Sequence, residues 1–349
     1  MDNEKALVKS IAILAATLSV LLPKSEWQNA RWVLIPKLLL CGVLYVLLST
    51  IAYDTFMYYD LFKVGSMGKF GQFWDLVGEI VNSHYKVAVL YFASGIIMAA
   101  SVFYYVNSEV ERDYLSLYIL LLPGCFLEYT GLLRQGLAAA MAMFSVGLMF
   151  RGKHVLASAL AFVSAFVHSS VLIVYLVILL AVLLASGVKL RKKAIAVLGL
   201  LLMIPFIDYA FQKTGGEGIQ FVLQGYYETY IRDKIIFGDF GLRLAIMWII
   251  LSTLGLFSKS RSRKIVFAKV LCGIIIVLYP WFVNISGLAV RALWYLTPFA
   301  VPAIHDGLGV LTNRKIANRL LGLVCLGAFS YSVYLAGQSE FVNPVKLSN

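Results

Sequence analysis

Charge is what this sequence has least of. Only 14% of its 349 residues are Asp, Glu, Lys or Arg, against 61% apolar, and the mean hydropathy is +0.84. A water-soluble domain ordinarily carries about 25% charged residues, so a soluble fold of this length is excluded. The alternating apolar–polar pattern of a membrane β-barrel is also missing, because the apolar runs are continuous. Cysteine is sparse. Cys41, Cys125, Cys272 and Cys325 are scattered without a CxxC pair, and three of them lie inside apolar runs, so neither a disulfide framework nor a zinc site is expected. No internal repeat and no low-complexity tract is present. At the N-terminus, Lys5 and Lys9 precede an apolar run from Ile11 to Leu22. The following "PKSEWQNARW" has no small-x-small cleavage pattern, so an uncleaved first span is expected.

What the sequence does have is apolar runs of about 15–20 residues, the length that a bilayer core of roughly 30 Å demands. Their positions predict about twelve helices, at 6–22, 35–53, 87–105, 114–128, 134–150, 155–168, 170–187, 194–209, 240–257, 265–284, 288–304 and 319–336. The expected fold is an all-α polytopic membrane protein, one integral membrane domain over residues 1–349. Two long polar connections interrupt the pattern, at about 54–86 and 210–239.

The charges that remain are distributed by side. Lys24, Arg31, Lys37, Arg112, Arg151, Lys153, four basic residues over 189–193, five over 259–269, Arg314, Lys315 and Arg319 fall on one set of connections. This set holds 18 of the 30 basic residues and 5 of the 18 acidic ones, a balance of +13, while the other side stands at −1. The total of +12 therefore reads as the excess of Lys and Arg on cytoplasmic loops, not as a nucleic-acid surface. Both termini and both long connections are then expected on the outer side.

Against that pattern three ionisable groups stand out. Arg134 opens "LLRQGLAAA", His168 closes "SAFVHSS", and Arg291 lies early in "LAVRALWYLTPF". All three fall at the outward ends of apolar runs, where a shared polar site would gather them. An Arg within the bilayer costs roughly 2.5–3.5 kcal/mol on insertion scales. Plainer readings exist for each. An arginine near a helix end can snorkel to headgroups, His168 can hydrogen-bond a nearby carbonyl, and Ser169 and Ser170 can cap the next helix. The tyrosines Tyr226, Tyr227 and Tyr230 in "VLQGYYETYIRD" fit stacking on sugar faces, and equally an interfacial aromatic belt.

The run "RQGLAAAMAMFSVGLMFRGKHVLASALAFVSAFVHSSVLIV" resembles the signature of the EpsG/Wzy family of polysaccharide polymerases. There, an Arg-Gln-Gly/Ala-Leu-Ala helix is followed about 30 residues later by a Phe-His-x-Ser/Ala turn. The matching residues are Arg134, Gln135, Leu137 and Ala138, then Phe166 as a near match, His168 and Ser169. Upstream, Asp54 with Tyr58 and Tyr59 resembles the family's Asp-x-x-x-Tyr opening of the first outer loop. Arg291 and Tyr295 resemble its late Arg-x-x-x-Tyr helix. The sequence departs from the family's Glu-x-Gly-Phe step, offering Asp75 and Glu79 at another spacing.

The resemblance implies a fold similar to the GT-C glycosyltransferases and an active site on the periplasmic face of the bacterial inner membrane. The implied reaction moves a glycan from undecaprenyl pyrophosphate onto a sugar hydroxyl of another lipid-linked repeat unit. Donor and acceptor lipids, the membrane and a chain-length regulator protein are the implied partners; no nucleic acid and no cofactor are expected. Arg134 and Arg291 suit the pyrophosphate, because a guanidinium meets phosphate oxygens in a bidentate fork. The outer connections hold no Asp-x-Asp and no His/Asp cluster with metal spacing, so arginines are expected in the place of Mg²⁺. His168 is the first candidate for general base, since an imidazole titrates in the useful range. Glu128 competes for that role or orients Arg134, and Asp239 and Asp54 are further alternatives. Gln135, Asp54, Tyr58, Tyr59, Tyr129, Ser169, Tyr226, Tyr227, Arg243 and Tyr295 are candidate substrate contacts.

Three other functions compete. A lipid-linked oligosaccharide transporter or flippase would place ionisable groups near the bilayer midplane, where this sequence has almost none, and the break at Pro123–Gly124 has no matching second half. An O-antigen ligase shares the arginine and histidine logic, but length and motif order favour the polymerase. A membrane O-acyltransferase would use His168 but needs a second polar motif.

Overall fold

The computed structural model describes residues 2–21, 31–50, 58, 60–62, 72–81, 83–106, 119–121, 133–168, 171–186, 239–282 and 287–335. Among them every regular element is α-helical. The helices are α1 (Asp2–Leu21), α2 (Arg31–Ser49), α3 (Gln72–Ile80), α4 (His84–Val106), α5 (Leu133–Phe150), α6 (His154–Val167), α7 (Val171–Ala185), α8 (Asp239–Leu256), α9 (Arg263–Phe282), α10 (Gly287–Leu311) and α11 (Arg314–Leu335). Ten of the twelve expected runs coincide with these helices. The runs at 114–128, apart from residues 119–121, and at 194–209 lie outside the described residues. The connection 54–86, read from the sequence as long and polar, contains helical residues at 58 and 60–62 and the whole of α3.

Among the described residues three helical segments are long and apolar enough to cross a membrane, Tyr85–Val106, Leu133–Phe150 and Arg314–Tyr334, and shorter apolar helices include Ile35–Ser49, His154–Val167 and Val174–Ala185. Their outer faces suit hydrocarbon. In α6, Val155, Leu156, Phe162 and Val163 are exposed while Ala157, Ser164, Ala165 and Val167 are buried. In α11, Leu320, Leu323, Val324 and Tyr331 are exposed while Ala317, Leu321, Cys325 and Phe329 are buried.

The chain separates into two compact units. The first holds α1 to α6 with α11, and the second α7 to α10. In the first, α2 packs on α4, α4 on α5, and α5 on α6. Helix α5 is its core. Gly136, Ala138, Ala139, Ala140, Ala142, Ser145 and Gly147 are all buried, and these small residues let neighbouring backbones come close, the usual basis of helix contact in membranes. Tyr104 of α4 lies over Phe144 with ring centroids 4.3 Å apart. The α5–α6 corner is a Schellman turn: Gly152 takes φ +75°, the Gly152 N–H donates to Met149 O at 3.0 Å, and the Lys153 N–H to Leu148 O at 3.0 Å. Ser145 Oγ then donates to Ala157 O at 2.8 Å and ties the two helices together. Lys9 of α1 donates to Tyr334 O of α11 at 2.9 Å.

In the second unit α8, α9 and α10 pack mutually, with α7 against α9 and α10. Gly307 is where α10 meets the Leu254 carbonyl of α8, and any side chain there would collide with it. Ser262 caps α9: its Oγ accepts the Ile265 N–H at 3.3 Å. The link before α9 is clasped from α10, since the Asp306 carboxylate accepts Ser258 Oγ–H at 2.8 Å and the Ser260 N–H at 3.4 Å. Lys269 Nζ adds a bond to Ser258 O at 3.0 Å.

Candidate functional site

The short helix α3, "QFWDLVGEI", is amphipathic. Trp74, Gly78 and Val81 recur at i, i+4 and i+7 and are buried, while Asp75, Leu76, Glu79 and Ile80 are exposed. Its inner face lies against α6. Trp74 has no exposed surface at all. Its indole N–H donates to Val167 O at 2.9 Å. Val167 ends α6, so this carbonyl is one of the last four that a helix leaves without an internal partner. Trp74 thus satisfies a helix end and its own buried donor at once. Phe73 meets the indole edge-on at 5.3 Å between centroids, and Phe62 lies 6.4 Å away. Tyr58 is buried one turn before Phe62, on the same face, while Asp60 between them is exposed.

Arg134 is the second residue of α5 and is half-buried between buried Leu133 and buried Gln135. A cation at a helix N-terminus faces the positive end of the macrodipole, a cost of about 0.3–1 kcal/mol. Its guanidinium carbon lies 6.0 Å from the Trp74 ring centroid. A contact of that kind contributes about 0.5–2 kcal/mol, enough to offset the dipole. Arginine charge and first-turn N–H groups together make this end of α5 favourable to an anion.

In the first unit the cation contacts fall at two ends. Trp74, Arg134 and the Val167 carbonyl gather at one end. At the other, Lys37 lies 6.0 Å from the Phe103 ring, and Arg151 sits 3.7 Å from the Tyr104 ring, with its Nη2 donating to Tyr104 O at 3.4 Å. Arg134 and Arg151 stand at opposite ends of α5, separated by roughly 26 Å at 1.5 Å per residue.

Of the residues singled out in the sequence, Arg134, Gln135 and Tyr58 belong to the first unit. Arg134 and the aromatic group around Trp74, with Tyr58 one turn from Phe62, are the ones that described contacts bring together. His168, Tyr295, Arg291 and Arg243 belong to the second. His168 is half-buried, and its carbonyl accepts the Val171 N–H at 3.1 Å, where α6 gives way to α7. Tyr295 is buried in α10, one turn after Arg291. Arg291 and Arg243 occupy α10 and α8, but their side chains lie outside the description. Asp54, Tyr59, Glu128, Tyr129, Ser169, Tyr226 and Tyr227 lie outside the described residues. Trp74 is the residue that the sequence did not single out. The signal available for it was the i, i+4, i+7 spacing of Trp74, Gly78 and Val81 inside a segment rich in polar residues. Among the described residues, no three His, Cys, Asp or Glu side chains are grouped as a metal site.

Residues 30–345 match the family model of the EpsG family. No match is found among curated proteins or among solved structures.

Proposed function

The chain belongs to the EpsG family, a family of polysaccharide polymerase-like membrane proteins, and on that premise we propose that it polymerises a lipid-linked glycan. The proposed donor is a glycan on undecaprenyl pyrophosphate, and the acceptor is a sugar hydroxyl of a second lipid-linked repeat unit. The bond between the anomeric carbon and the pyrophosphate oxygen breaks, and one to the acceptor oxygen forms. Undecaprenyl pyrophosphate leaves, and the hydroxyl proton passes to a base on the protein. The site faces the periplasm, on the side opposite the basic loops.

The family match carries this reading, and Arg134 supports it chemically. A half-buried guanidinium at a helix N-terminus is suited to the charge that grows on a departing pyrophosphate, since such donors act more strongly away from bulk water. Arg291 is its proposed counterpart on the second unit. Pyrophosphate is already a good leaving group, so the two arginines take the role that Mg²⁺ has elsewhere. His168 is the proposed base, with Glu128 as the alternative base or as the group that orients Arg134. Gln135, Tyr58 and Tyr295 are proposed contacts to the sugars.

A deletion strain tests the reading. Loss of the glycan ladder with a single repeat unit still attached to the cell supports a polymerase. Long lipid-linked chains that never become attached would instead assign the protein as a ligase. Repeat units trapped on the cytoplasmic side would assign it as a flippase.

A further inference from the structure

We propose that Trp74 is a positioning residue for Arg134, a role that rests on the polymerase reading above. Three contacts fix the plane of its indole. The ring N–H is tied to Val167 O at 2.9 Å, Phe73 closes one edge at 5.3 Å, and Phe62 stands at 6.4 Å. The ring is wholly buried, so water cannot replace these contacts. The Arg134 guanidinium, at the end of a long and flexible side chain, lies 6.0 Å from this fixed ring.

The chemistry of the pair suits phosphate better than an ion pair would. A carboxylate beside Arg134 would take up its N–H donors and cancel its charge. A π face attracts the cation through the ring quadrupole and uses no donor. Trp74 can therefore aim the guanidinium without itself taking up an N–H donor or cancelling charge. The anchor is itself anchored, because the same indole closes the end of α6. A tilt of α3 against α6 would then be felt at Arg134.

The test uses the full-length purified protein in lipid nanodiscs, with lipid-linked repeat units as substrate. Trp74→Leu and Trp74→Phe are measured in the wild-type and in the Arg134→Gln backgrounds. Trp74→Leu is expected to lower kcat/KM for the donor roughly five- to thirtyfold, the range of a shielded cation–π contact, with the acceptor KM unchanged. Trp74→Phe keeps an aromatic face but loses the N–H, and its loss is expected to be smaller. In the Arg134→Gln background, which leaves the ring no cation to hold, both losses should shrink to about twofold or less, because residues acting through one another are not additive. Equal fold losses in the two backgrounds would show that Trp74 only holds the fold, and full activity of Trp74→Leu would show that Arg134 needs no such support. Either result overturns the proposal. Should Trp74→Leu fail to insert, the same comparison is read from Trp74→Phe. An inactive wild-type protein overturns the polymerase reading, and this proposal with it, whereas an active wild type with equal losses overturns this proposal alone.

Discussion

Replacing Arg134 by Ala should abolish most of the polymerisation rate while the protein still inserts. The expected size follows from its surroundings. Two unit charges 4 Å apart interact by about 1 kcal/mol in bulk water and about 4 kcal/mol at an effective dielectric near 20. Arg134 is half-buried next to a fully buried ring, which argues for the second environment. Removal of one preorganised donor from such a site typically costs about 3–4 kcal/mol, a hundred- to thousandfold in rate. Part of the change should fall on stability, since the Trp74 contact is lost as well, at about 0.5–2 kcal/mol. Arg134→Lys keeps the charge but not the fork, and should recover only a small part of the rate. The assay is the initial rate of chain growth on lipid-linked repeat units, normalised to monodisperse protein from size-exclusion chromatography. Full activity of Arg134→Ala at normal protein level would refute the reasoning and leave Arg291 as the sole candidate for the pyrophosphate.

Four further outcomes are expected. If His168 is the base, the rate should rise with pH as the imidazole loses its proton, because only the neutral ring accepts one; that limb should vanish in His168→Ala, while an active His168→Gln with an unchanged profile would pass the role to Glu128 or an outer aspartate. A cysteine placed at residue 220 should react with membrane-impermeant maleimide added from the periplasmic side, and labelling from the cytoplasm alone would invert the site. Asp306→Ala removes two hydrogen bonds that hold the α8–α9 link and should lower stability by about 1–3 kcal/mol, seen as a lower thermal midpoint in detergent, with an unchanged midpoint counting against the clasp. Chelation by EDTA should leave the purified enzyme's rate unchanged, whereas a loss reversed by Mg²⁺ would displace the arginines from their proposed role.

The long helices were legible because their signal is long. Runs such as "LAAAMAMFSVGLMF" or "VLIVYLVILLAVLLA" stay apolar for about four turns, and their helices appear where the runs lie. Helix α3 was not legible for two physical reasons. It has nine residues, and its exposed side carries Leu76 and Ile80 as well as Asp75 and Glu79, which blurs the polar face that marks an amphipathic helix. The Trp74 bond to Val167 joins residues 93 positions apart, and the Ser258–Asp306 bond residues 48 apart. No local spacing encodes either partner. Charge counting needs no such pairing, but it says nothing of which side chains meet; the structure gathers Trp74, Arg134 and the Val167 carbonyl at one end of the first unit.

The activity proposed for this chain is the joining of lipid-linked glycans. Its most direct test is the purified protein alone in nanodiscs, supplied with lipid-linked repeat units of one defined length. A ladder of longer lipid-linked products is expected, with one undecaprenyl pyrophosphate released for every bond formed. Intact single repeat units after incubation, with no pyrophosphate lipid released, would contradict it.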